Sequence, residues 1–552
     1  MQVAEAVGAA LAEQGVDTVF GLLGSGNLLV TNALAARGAR FASSRHESGA
    51  VSMADGWARV SGRVGVASVH QGPGLTNTLT ALAEAAKSRT PLLVLAADTP
   101  AAAVRSNFRI DQHGLVESVG AVAERIHGPA SAVADARRAL RRAEVERRPV
   151  VLMLPIDVQA QPAPDLPPPV RAGPPPAPGL HRPRPAPEAV AAAADLVEHS
   201  ERPLIVAGRG AVLAGARDPL EALGERIGAL LTTSAVANGL FAGLPYATGI
   251  SGGFATPLAA SLLPRADLVL AFGAALNQWT TSHGALLGPE ARIVQVDLEP
   301  DAIGAHRPVE LGIIGDAGET ARDLDAELAA RGFAQEGVRT PELAQQIARR
   351  RWRDEPFEAG GADGTVDPRT LSIALDRLLP EQRTVAVDSG AFLGWPAMYL
   401  DVPDASSWVF SNGFQAVGLG LGSAIGAAVA RPDRVTVAAL GDGGALMALS
   451  ELETAARLGL RLLILVYDDA AYGAEVHHFG PQGHPVDLVC FPDADLAALA
   501  RAAGGGGVTV RALDDLGAVE RWLAAPEGPL LVDAKVDPGI CGEWLEEAFR
   551  AG

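Results

Sequence analysis

Two aspartate positions near the end of the chain have the type and spacing to hold a hard divalent cation. Asp442 lies in Gly441-Asp442-Gly443, directly after the apolar run Val435-Thr436-Val437-Ala438-Ala439-Leu440, and Asp468-Asp469 closes a second apolar run from 462 to 467. Mg2+ takes oxygen ligands in near-octahedral geometry and keeps water and phosphate oxygens around it. A carboxylate from each of two neighbouring strand ends therefore suits a metal-diphosphate group. Glycine on both sides of Asp442 lets the backbone approach phosphates closely. A Gly-Asp-Gly turn is common, and the second acidic pair at a strand end is what makes this one informative.

These residues need two strands and a helix to bring them together. Both apolar runs read as buried strands and 446–458 between them as a helix, a strand-helix-strand unit whose strand ends lie side by side. The same alternation fills the chain. Strands are expected at 64–69 and 92–96 with amphipathic helices at 2–13 and 77–86, and further strands at 204–207, 268–272 and 293–296. Such alternation implies parallel sheets covered by helices on both faces. The fold class is therefore α/β, with three doubly wound parallel-sheet domains. Proline density from Gln161 to Pro187 predicts an extended linker. A polar, glycine-containing break from Asp354 to Asp367 ends at the helix start Asp367-Pro368-Arg369-Thr370. The expected domains are 1–160, 188–345 and 366–552.

Composition sets limits on function. The 552 residues are 48% hydrophobic and 20% charged, as in an ordinary globular protein. The net charge of −19 argues against nucleic acid or anionic membrane as a partner. No run approaches the roughly 18 apolar residues of a membrane helix, and Met1-Gln2-Val3-Ala4-Glu5 has no signal-peptide pattern. Cys490 and Cys541 offer neither a disulfide framework nor a zinc spacing. The expectation is a cytoplasmic enzyme.

Three further segments stand in a fixed order ahead of the metal turn: Ser44-Arg45-His46-Glu47-Ser48-Gly49-Ala50, Ala54-Asp55-Gly56-Trp57-Ala58-Arg59 and Gln71-Gly72-Pro73-Gly74-Leu75-Thr76-Asn77. With Gly441-Asp442-Gly443 and Asp468-Asp469 they resemble the thiamine diphosphate enzymes of the acetolactate synthase, pyruvate oxidase and benzoylformate decarboxylase family, over almost the whole chain. The resemblance implies a pyrimidine-binding, a central and a diphosphate-binding domain, with thiamine diphosphate and Mg2+ as cofactors. It implies that Glu47 hydrogen-bonds the aminopyrimidine and so promotes formation of the nucleophilic ylide. The metal ligands would be Asp442, Asp469 and the carbonyl of Ala471, and Val417 would wedge under the bent cofactor. Gly72, Asn77, Ser389, Gly390, Gly413, Gly441, Gly443, Gly444 and Tyr472 would contact the cofactor. In this branch the cofactor lies between the first domain of one subunit and the third of another, so a homodimer or homotetramer is expected.

The departures bear on substrate. The usual asparagine pair is here Asp468-Asp469. The tryptophan that helps select the acceptor is replaced by His478, beside His477, in Ala474-Glu475-Val476-His477-His478. Ala275-Leu276-Asn277-Gln278-Trp279-Thr280 replaces the arginine and aspartates associated with flavin and acceptor carboxylate. That argues against a conventional acetolactate synthase and against bound FAD, without closing the question of FAD. Ser25 and His70 match an active-site serine and histidine of benzoylformate decarboxylase, and Gln112-His113 falls where many relatives present a side chain to substrate. Histidine moves protons near neutral pH, so Glu47, His70, His113 and His478 are the catalytic candidates, and Ser25, Gln112 and His477 the substrate contacts. The resemblance implies ylide addition to a small-molecule 2-oxo acid, loss of carbon dioxide and an enamine. Acetolactate synthase-like carboligation is the first reading and aldehyde release of the benzoylformate type the alternative. A 2-hydroxyacyl-CoA lyase and a catalytically silent regulatory relative remain behind them.

Overall fold

The computed structural model describes residues 1–163, 182–361 and 364–550. Most of the 161–187 linker therefore lies outside the described residues. The chain builds three six-stranded sheets, parallel throughout. The first contains β1 (Thr18–Gly21), β2 (Arg40–Ser43), β3 (Gly65–Val69), β4 (Leu92–Asp98), β5 (Val122–Arg125) and β6 (Pro149–Pro155), in the order β2-β1-β3-β4-β6-β5. The second contains β7 (Pro203–Ala207), β8 (Leu230–Thr233), β9 (Ala247–Ile250), β10 (Leu268–Phe272), β11 (Arg292–Asp297) and β12 (Leu311–Ile314), in the order β12-β11-β10-β7-β8-β9. The third contains β13 (Arg383–Val387), β14 (Trp408–Phe410), β15 (Val435–Gly441), β16 (Leu462–Asp468), β17 (Gly506–Val510) and β18 (Leu530–Lys535), ordered β14-β13-β15-β16-β18-β17. The first and third sheets share one topology. The second has the order common among dinucleotide-binding sheets.

Strands β3, β4, β6, β13 and β16 are buried along their whole length, as both-face coverage by helices requires. The single helix expected over 446–458 is two, Asp442–Met447 and Glu451–Arg457. The chain turns between them and aims Glu451 at the first domain, where its carboxylate accepts the N–H groups of Arg45 and His46. The first and third domains share one continuous apolar core, to which Phe20, Leu82, Ile425 and Ile464 all belong. At its centre the helix Glu47–Ser61 crosses Gly420–Ala430 at glycines. A Cβ on Gly56 would run into the carbonyl of Ser423, and one on Gly426 into that of Met53. This close approach fixes the start of the Glu47 helix against the domain that carries Asp442.

A buried polar latch completes the junction. Arg59 lies 2.8 Å from Asp55 and 2.9 Å from Glu84, and donates to the carbonyl of Phe410 at 3.0 Å. Glu84 in turn accepts the N–H groups of Gly413 and Phe414 at 3.1 and 2.7 Å. Each carboxylate in the latch faces the Arg59 guanidinium, which offsets the cost of burying its charge.

Candidate active site

Strands β15 and β16 are neighbours, with Gly441 opposite Tyr467, so Asp442 and Asp469 leave adjoining strand ends. Burial pushes the Asp442 carboxyl up to about 7, helped by repulsion from Asp469 and Asp468, and it pushes Asp469 up to about 6. Two hard oxygen donors that repel one another are what a divalent cation relieves. Between them and Ala471 the chain makes a forced turn. Ala470 has φ +52°, Asp468 accepts its N–H at 3.0 Å, and Asp469 accepts that of Ala471 at 3.2 Å. Among the described residues no three His, Cys, Asp or Glu side chains gather as a complete metal site.

The surroundings fit a diphosphate and a planar ring system. A Cβ on Gly443 would lie 3.1 Å from Tyr472, and one on Gly444 2.5 Å from Asp388 Oδ2 and 3.3 Å from Val417. Gly390, at φ +148°, follows the buried Ser389. Val417, Leu446, Met447 and Tyr472 form an apolar ledge that no described residue covers, Val417 being 41% exposed. Tyr472 meets Phe491 edge-on, and Gly413 is held by Glu84.

Glu47 opens its helix and is buried. Its Oε2 accepts from the Asn77 amide at 3.0 Å, and the segment before it is pinned by Glu451. Nearby, Gly72 takes φ +63° and donates its N–H to Gln112 Oε1 at 2.8 Å. The Gln112 amide also donates to the Ala97 carbonyl, so this side chain braces the loop. His70 Nδ1 lies 2.9 Å from the carbonyl of Gln71, and its Nε2 is 3.3 Å from Ser25 Oγ. A carbonyl only accepts, so neutral His70 carries its proton on Nδ1 and accepts from the serine at Nε2. Phe108 packs edge-on against its ring.

His113 is exposed and pairs with Glu117 at 3.3 Å. His477 is half-buried and pushed down by that burial. The His478 ring stacks on Phe549 of the final helix, Glu543–Phe549, with ring centres 4.0 Å apart.

Three supporting carboxylates escape a reading of the sequence. Asp388 accepts the N–H groups of Gly418, Leu419 and Gly420 at 2.9, 3.2 and 3.1 Å, and so fixes the turn that carries Val417. Glu84 and Glu451 do the same for Gly413 and for the entry to Glu47. Their only local signal is an acidic residue inside an otherwise apolar stretch.

A separate cavity of about 1100 Å3 opens beyond the ends of β7, β10 and β11. It is lined by Asn277, Gln278, Trp279 and Thr280 and by Arg209. Burial pushes the Arg209 guanidinium down to about 9, and two of its nitrogens have no partner among the described residues. The space and the cation suit a dinucleotide-sized anion, so the changed residues at 275–280 do not remove the room for one.

The chain matches the family models described as thiamine pyrophosphate enzyme N-terminal TPP binding domain over 1–123, central domain over 190–324 and C-terminal TPP binding domain over 388–534. It is 33% identical to a "probable 2-ketoarginine decarboxylase" of Pseudomonas aeruginosa, covering 94% of this chain and 90% of that one. It is 31% identical to a sulfoacetaldehyde acetyltransferase of Rhodobacter capsulatus, over 100% and 96% of the two chains. Identity to the acetolactate synthase large subunit of Parasynechococcus marenigrum is 30%, over 96% and 86%.

Proposed function

Since the chain belongs to the thiamine pyrophosphate enzyme family, we propose that it is a thiamine diphosphate- and Mg2+-dependent enzyme that decarboxylates a 2-oxo acid and joins the remaining fragment to a second carbonyl compound, in the manner of acetolactate synthase. The observation that carries this reading is the joint presence of a carboxylate pair at adjoining strand ends, Asp442 and Asp469, and of a buried glutamate fixed by an amide, Glu47 with Asn77. When bound, thiamine diphosphate supplies a carbon nucleophile for the ketone carbon and a sink for the electron pair left as carbon dioxide departs. Asp442, Asp469 and the Ala471 carbonyl would hold the cation. Asn77 fixes Oε2 of Glu47, which would leave Oε1 to hold or release a proton toward the cofactor. Val417, on a turn that Asp388 holds rigid, would pack against the cofactor.

The uncovered ledge of Val417, Met447 and Tyr472, with Leu28 and Leu29 exposed on the first domain, supports a homodimer or homotetramer. In it a second copy closes the site and shields these apolar groups from water.

The Ser25–His70 pair favours a second reading, simple decarboxylation, because a protonated His70 can give its Nε2 proton to the Ser25 hydroxyl as that hydroxyl passes its own proton to the product-forming carbon, which leaves a neutral serine and a neutral imidazole. The two readings separate on product. With thiamine diphosphate, Mg2+ and a panel of aliphatic and aryl 2-oxo acids, condensed products identified by mass support the first and free aldehyde matching carbon dioxide supports the second. Absence of carbon dioxide from every acid, with the cofactor bound, contradicts both.

A further inference from the structure

Lys535, at the end of β18, is buried under the cation site and is the centre of a four-acceptor cluster. Its Nζ lies 2.5 Å from Asp468 Oδ2, 2.5 Å from Asp493 Oδ1, 3.1 Å from Asp533 Oδ1 and 2.8 Å from the carbonyl of Ala494. Asp468 and Asp533 are buried, whereas Asp493 is half-exposed. Strands β16 and β18 pair here, with Asp468 opposite Lys535. Asp468 is the hinge of the forced turn: its Oδ2 faces the lysine and its Oδ1 takes the N–H of Ala470, the residue held at φ +52° between Asp469 and Ala471. Without the lysine this buried carboxylate has lost its counter-charge, and it turns toward water. That movement takes Oδ1 away from the Ala470 N–H and releases the turn.

We propose that Lys535 is a positioning residue for the cation site: by pairing with Asp468 it holds the Asp468–Ala471 turn in the shape that presents Asp469 and the Ala471 carbonyl. This rests on the reading of Asp442 and Asp469 as cation ligands. Of its partners only Asp468 also holds the turn, through the Ala470 N–H. The part of its effect that reaches the cation site must therefore fall away when residue 468 carries no charge.

A double-mutant cycle tests this. Mg2+ affinity is measured by titration calorimetry at saturating thiamine diphosphate for the wild type, Lys535→Met, Asp468→Asn and the double variant, alongside the thermal midpoint of each cofactor-free protein. Lys535→Met is expected to weaken Mg2+ binding at least tenfold in the wild-type background and less than threefold in the Asp468→Asn background, and Lys535→Arg to stay within threefold. The same factor in both backgrounds, or no loss of affinity, overturns the proposal. If Lys535→Met does not fold, a double variant that folds and binds Mg2+ supports it, and one that does not fold overturns it. Asp442→Ala is the control for the parent reading: undiminished Mg2+ binding in that variant refutes the cation site itself.

Discussion

Gly444→Ala inserts one methyl group between the cofactor turn and its support. The added Cβ would lie 2.5 Å from Asp388 Oδ2, roughly 1 Å inside ordinary contact. A side-chain oxygen could usually retreat, but Asp388 is buried and its two oxygens accept the N–H groups of Gly418, Leu419 and Gly420. Moving it breaks those bonds and tilts the turn of Val417, whose own side chain stands 3.3 Å from the new methyl. In a helix, alanine gains about 1 kcal/mol over glycine, against about 1–3 kcal/mol for overpacking. The net effect on folding is thus small, about 0–2 kcal/mol. Displacement of the site by up to an ångström is the larger effect, and misplacement on that scale costs about 10²-fold. The assay is the half-saturating thiamine diphosphate concentration at fixed Mg2+, followed by tryptophan fluorescence, with the thermal midpoint measured in parallel. A rise of tenfold or more with little change in midpoint is expected. A change below threefold would show that the turn is free to move and that Asp388 does not fix it.

Other consequences are more direct. Arg59→Ala leaves Asp55 and Glu84 buried without their cation, a loss of about 3–5 kcal/mol, and the thermal midpoint should drop while Arg59→Lys recovers only part of it. Burial pushes Asp388 up to about 6 from 3.8, so between about pH 4 and 6 the folded chain holds a proton that the unfolded chain has released. Stability from this group therefore falls as pH rises through that window, by about 3 kcal/mol at most. Denaturation midpoints at pH 4.5 and 7 should show Asp388→Asn with the flatter profile. His70→Ala should lower aldehyde release about 10²-fold or more if the Ser25–His70 pair delivers the product proton; unchanged aldehyde yield assigns that proton to another group.

The three-domain α/β fold could be read from the chain because strand and helix periodicities alternate cleanly in each domain. The placement of Asp442 and Asp469 at adjoining strand ends was legible for the same reason: apolar runs end just before each of them. The order of the strands was not legible, since nothing local distinguishes the first and third sheets from the second. The supporting carboxylates were hidden because their partners are remote. Glu84 binds N–H groups 329 and 330 residues away, and Glu451 binds one 406 residues away. Gln112 and His113 show a different limit. Successive helical residues point about 100° apart, so in the short helix Gln112–Ser118 one side chain braces the Gly72 loop while its neighbour faces water beside Glu117. Nothing local in the sequence says which of the two is tied to the loop.

The role of Glu47 is tested most directly by the rate at which bound thiamine diphosphate exchanges its thiazolium C2 proton for deuterium, measured by rapid quench and NMR in the wild type and in Glu47→Gln, both saturated with Mg2+ and cofactor. Exchange in the wild type is expected far above that of free cofactor, with a loss of about 10²-fold or more in the variant and cofactor affinity kept. Exchange in the wild type no faster than in free solution, or unaffected by the substitution, would contradict a cofactor activated by this glutamate.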